Sequence, residues 1–82
     1  MKAGERFQDT EIIAWVELPR VAGCTIEGAC LCRDRSGLFV VWWIVRNEPG
    51  GTSHAHQGYY SADPAKAAQE LSSRIARHLR RQ

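Results

Sequence analysis

No stretch of this 82-residue chain approaches the roughly 18 consecutive apolar residues that a membrane-spanning helix needs. Cysteine is scarce, and Cys24, Cys30 and Cys32 are an odd number that cannot all pair within the chain. The opening residues Met1-Lys2-Ala3-Gly4-Glu5-Arg6 carry no apolar segment of the signal-peptide kind. Together these features lead us to expect reduced thiols in a cytoplasmic protein with no membrane partner. Also missing are a glycine-rich phosphate loop, a serine nucleophile elbow and a close pair of carboxylates. No enzymatic activity and no cofactor are therefore expected. Asp9, Asp34 and Asp63 read as cap and turn residues.

Charge of one sign is lacking too. The net charge is +2, and four arginines near the end, Arg74, Arg77, Arg80 and Arg81, outweigh the rest. Residues 1–73 hold seven basic against nine acidic side chains. A polyanion-binding protein is usually basic over a whole face, so nucleic acid is not the first ligand expected. The same balance argues against an acidic mimic of DNA.

What the chain does have is enough apolar residues, 44%, for one small domain spanning residues 1–82 with a single core. Leu38–Val45 supplies eight apolar residues in a row. As a strand it sends Leu38, Val40, Trp42 and Ile44 to one side and Phe39, Val41, Trp43 and Val45 to the other. A chain this short seldom builds two covering layers, so one face is expected to await a partner.

Residues 1–8 read as loose. Thr10–Leu18 suits a strand by its β-branched residues, or a short helix ended by Pro19. Thr25–Arg33 and Leu38–Arg46 read as a hairpin joined by Asp34-Arg35-Ser36-Gly37, and Asn47–Ser53 as a loop. His54–Tyr60 reads as a polar edge strand. A helix is expected over about 63–80, with Asp63 as N-cap and Pro64 at the first helical position. Its apolar stripe is Ala68, Leu71, Ile75 and Leu79. The fold class is thus α+β, an antiparallel sheet of three to four strands packed by one C-terminal helix.

With Asp34–Gly37 closing the hairpin, Cys32 falls opposite Phe39 and Cys30 opposite Val41. Ile26, Gly28, Cys30 and Cys32 then share a face with Phe39, Val41, Trp43 and Val45, placed under the helix. The other face carries Glu27, Ala29, Leu31 and Arg33 with Val40, Trp42 and Ile44. An apolar centre with a charged rim has the composition of a protein interface. Trp42 is the expected anchor beside Val40, Ile44 and Leu31, with Glu27, Arg33 and Arg46 as its rim.

Cys24, Cys30, Cys32, His54 and His56 invite a metal reading, because sulfur and imidazole suit zinc. The spacing lacks a Cys-x2-Cys knuckle, and the sheet order would separate the pairs by well over ~10 Å. No metal site is expected, and the same separation removes a catalytic Cys–His pair. Arg74, Arg77 and Arg81 fall on one outward flank of the helix. With Arg80, Lys66 and the stacking rings of Tyr59 or Tyr60 they form a candidate nucleic-acid surface. Their blander role is to offset the helix dipole. A homodimer, through the open face or through His54–Tyr60, is compatible with either function.

Two resemblances bear on these alternatives. From residue 25 to 80 the order strand–strand–strand–helix resembles the second half of a double-stranded-RNA-binding domain. In that family a lysine cluster opens the last helix, where this chain has Asp63-Pro64-Ala65-Lys66-Ala67-Ala68. That likeness implies nucleic-acid binding through the basic helix. As a whole, the chain resembles the small phage- or mobile-element-encoded inhibitors of the anti-CRISPR type: one sheet, one helix, no catalytic motif and an aromatic patch. That likeness implies a non-enzymatic protein acting in the host cytoplasm. It would block a larger nucleic-acid-handling effector, such as a CRISPR complex, by steric contact.

Overall fold

The computed structural model describes residues 1–21, 23–47 and 50–80. Arg81, and Glu48 and Pro49 of the expected Asn47–Ser53 loop, lie outside the described residues. Five strands and one helix are present among those described: β1 Arg6–Phe7, β2 Thr10–Glu17, β3 Ile26–Arg33, β4 Phe39–Val45, β5 His54–Ser61 and α1 Pro64–Leu79. The strands form one antiparallel meander in the order β1-β2-β3-β4-β5. The class is α+β, with five strands where three to four were expected. The additional one, β1, arises within residues 1–8, where backbone bonds between Gly4 and Ile12 and between Glu5 and Ile12 hold the N-terminal segment beside β2. Thr10–Glu17 is a strand rather than a helix.

The sheet curls into a half-barrel. In a flat sheet β1 and β4 would stand three spacings apart, about 14 Å. Instead the Phe7 ring meets the Trp42 ring edge-on, with centroids 5.8 Å apart. Bulges supply the curvature, because each adds local bend and twist. They occur at Ile13 between β2 and β3, at Glu27 between β3 and β4, and at Gln57–Gly58 opposite Trp42.

The hairpin register differs from the expected one by a residue. Asp34 organises a turn that takes in Leu38: its carboxylate accepts from the Ser36 amide at 2.9 Å, the Ser36 hydroxyl at 2.7 Å and the Leu38 amide at 2.9 Å. Gly37, with φ at +90°, provides the left-handed residue this turn needs. Pairing therefore begins at Arg33 with Phe39, which sets Cys32 opposite Val40 and Cys30 opposite Trp42. A shift of one residue exchanges the faces. Ala29 and Leu31 lie with Val41 and Trp43 under the helix, while Cys30 and Cys32 join Ile12, Val40, Trp42 and Ile44 inside the curl.

The helix is turned relative to its expected stripe. Ala67, Leu71, Arg74 and His78 are buried, whereas Ala68 and Leu79 are exposed. Arg74 is only 5% exposed. It lies over the Trp43 ring at 5.4 Å, bonds to Glu70 at 2.8 Å and donates to the carbonyl of Gln57. His78 is fully buried beside Trp43, its Nε2 at 2.6 Å from the Pro19 carbonyl oxygen. Both side chains bring a large body that covers the indole and a polar end that finds a backbone carbonyl. A count of aliphatic residues alone assigns them outward. The Asp63 carboxylate caps the first turn by accepting from the Ala65 amide at 2.9 Å.

Candidate functional site

The curl leaves a concave pocket of about 690 Å³ at the end of the sheet where β2 finishes and β3 begins. Its apolar walls are Phe7 from β1, Ile12 and Trp15 from β2, and Ile44 from β4. Trp15 is held there by Gly28: a Cβ at that position would collide with the Trp15 ring and the Val16 carbonyl oxygen. The glycine inside β3 thus lets a half-buried indole lie flat over the neighbouring backbone.

The rim is polar. Alternation alone would send Glu27 to the helix side, but the bulge at Glu27 turns it into the concavity. There its carboxylate accepts from the Ser53 hydroxyl at 2.7 Å, and that hydroxyl accepts from Arg46 Nη2 at 3.2 Å. Arg46 and Glu27 also face one another directly at 3.5 Å. The Nε of Arg46 is buried and has no acceptor among the described residues. On the opposite lip stand Glu5, Arg6 and Glu17, with Glu5 held by the N-terminal amine at 3.9 Å and the Lys2 amide at 2.7 Å. The arrangement suits an apolar group lying against Trp15 with a hydrogen-bond acceptor beside it at Arg46. No cysteine or histidine lines the pocket.

Of the residues the sequence marked as an interface, the structure brings Glu27, Ile44 and Arg46 together at this pocket. Val40 and Trp42 lie deeper in the same concave cluster. Trp42 is 8% exposed, sandwiched between Phe7 and Tyr60, so it is a core residue and not a solvent-facing anchor. The correction has a simple cause: the sheet covers its second face by curling, which needs no second layer. Leu31 is on the helix side, and Arg33 is bonded to Glu11 at 3.0 Å at the other end of the strands.

The basic set is dispersed. Arg74 is buried, and Arg77 is bonded to Glu70 at 3.3 Å. Lys66 and Arg80 are exposed at opposite ends of the helix, about 21 Å apart at 1.5 Å per residue. Tyr59 packs in the helix-side core, while Tyr60 lies toward the concave side at 58% exposure. The two rings therefore do not share a stacking surface.

Cys30 and Cys32 are buried with their sulfurs 3.6 Å apart. The bond to Cys32 and burial push the Cys30 thiol up, which keeps it protonated at neutral pH. His54 and His56 pair with Val45 and Trp43 and so face the other side of the sheet. Among the described residues no three His, Cys, Asp or Glu groups converge as metal ligands, and no helix is long and apolar enough to cross a membrane.

Sequence reasoning missed Phe7, Trp15, Glu17 and Ser53. The available signals were the same-face spacing of Trp15 and Glu17 and the lone Gly28 within a strand. Comparison adds no identity: no family model, no curated protein and no solved structure matches the chain.

Proposed function

We propose that this protein is a non-enzymatic binding module that works by contact with another protein. Its partner inserts an apolar side chain between Trp15 and Ile44 and offers a backbone carbonyl to Arg46. The observation that carries this reading is the pocket itself, where the aromatic wall of Trp15 adjoins the partly exposed Arg46 guanidinium and its Glu27 and Ser53 partners. The mixed charge of the rim, from Glu5, Arg6, Glu17 and Glu27, favours a protein surface over a polyanion. Steric blockade of a larger nucleic-acid-handling effector, in the manner of anti-CRISPR inhibitors, is the form of action we put forward.

The test is affinity capture from host lysate, split into nuclease-treated and untreated halves, with wild type beside Glu17→Lys and Arg46→Gln. Glu17 is exposed, so its replacement leaves the fold intact. One stoichiometric protein should survive nuclease, and each pocket variant should weaken its binding at least about tenfold. Capture that vanishes with nuclease would transfer the function to nucleic acid and Lys66 and Arg80. Capture untouched by both variants would remove the pocket from the interface.

A further inference from the structure

The strand β5 is an open edge of eight residues. Sheets in monomeric proteins blunt such edges with short strands, charges, prolines or bulges. The opposite edge uses two of these devices: β1 is two residues long, and it contains Arg6 and follows Lys2 and Glu5. His54–Ser61 contains no Lys, Arg, Asp, Glu or Pro, in a chain that is 24% charged. Its one device is the bulge at Gln57–Gly58, which leaves His54–His56 and Tyr59–Ser61 extended on either side.

We infer that the protein is a dimer, formed by antiparallel pairing of β5 with β5 of a second copy across a two-fold axis. The faces select the register. Ala55 and Tyr60 lie on the concave side, opposite Ile44 and Val40; His54, His56, Tyr59 and Ser61 lie on the helix side. Centring the axis between Gln57 and Gly58 sets His54 against Ser61, Ala55 against Tyr60, and His56 against Tyr59. Every pair then joins residues of the same face, whereas a slip of one residue mismatches them all. Gly58 lies at the centre, where its missing side chain makes room for the Trp42 ring of its own chain. No charged side chains meet across this ladder.

The helices clear one another. The helix packs over β3, β4 and β5, so its axis lies near β4. In the joined sheet the two β4 strands are three spacings apart, about 14 Å, against a helix diameter of about 10–12 Å. Pairing also covers the exposed Tyr60 ring with the second copy's Ala55. None of the residues of β5 lines the concave pocket, so the dimer is independent of the proposed function and presents that pocket twice.

Light scattering behind size-exclusion chromatography, from micromolar to millimolar protein, should give twice the 9.2 kDa chain mass. The double variant His56→Lys, Tyr60→Lys places four added cations along the ladder and should return the single-chain mass with an unchanged circular dichroism spectrum. Hydrogen exchange on the wild type provides a reading that needs no variant: protection of the β5 amides should rise with concentration. A wild type that stays monomeric throughout would overturn the inference. So would a dimer that persists in the double variant, or one whose β5 amides exchange as fast as in dilute solution.

Discussion

Replacing Trp42 by alanine distinguishes a core residue from a surface anchor by a several-fold difference in stability loss. A tryptophan can bury up to about 250 Å², so at 8% exposure roughly 230 Å² of Trp42 is out of water. At about 25 cal/mol per Å² that burial contributes near 5.8 kcal/mol. The denatured chain already hides some of this surface, which lowers the figure to about 3.5–5 kcal/mol. The edge-on contacts with Phe7 and Tyr60 add to the loss, and the measured range for such truncations is about 3–5 kcal/mol. A domain of 82 residues has only about 4–12 kcal/mol of net stability. Urea denaturation followed by far-ultraviolet circular dichroism should therefore show about a third or more of the stability gone, with a melting point lower by roughly 15–40 °C. Tyr60→Ala, at a largely exposed ring, should cost under about 1 kcal/mol. A Trp42→Ala protein within about 1 kcal/mol of wild type would place the indole in solvent and refute the curled-sheet account of the core.

Arg74→Ala should destabilise the fold by about 2–3 kcal/mol, because it uncovers Trp43 and leaves the Gln57 carbonyl without its guanidinium donor. Arg77→Ala, at an exposed ion pair, should change stability by less than about 0.5 kcal/mol, and equal effects in chemical denaturation would contradict the helix orientation. Bonds from the Ser36 hydroxyl and the Leu38 and Ser36 amides hold the Asp34 carboxyl below its ordinary value of 3.8. Its contribution is thus present above that ordinary value and lost as pH falls through the lower folded one. Asp34→Asn should flatten the acid limb of the stability profile, and an unchanged limb would show that the turn does not depend on the carboxylate.

Much of the architecture is legible in local chemistry. The β-branched and aromatic run marks Phe39–Val45, the Asp34–Gly37 turn marks the hairpin, and Asp63-Pro64 marks the helix start, because these signals act within a few residues. The sequence marks Glu27 and Arg46 for one polar rim, but through a register one residue off the observed one, so their meeting rests on the bulge at Glu27. The pocket is not legible. It requires β1 to fold back beside β2, Gly28 to admit Trp15, and a bulge to redirect Glu27, none of which alternation records.

The sequence by itself determined that this chain is of the α+β class, where its central hairpin and its helix lie, and that its charges are mixed. Those properties follow from backbone propensity, capping and periodicity, which are local. Only the tertiary structure decided which faces are covered. A single residue taken up by the Asp34 turn exchanged Cys30 and Cys32 for Ala29 and Leu31 beneath the helix. Curvature from three bulges then buried Trp42 without a second layer. Arg74 and His78 became core because carbonyls of Gln57 and Pro19, remote in sequence, met their polar ends. Such long-range partners exist only once the chain has folded.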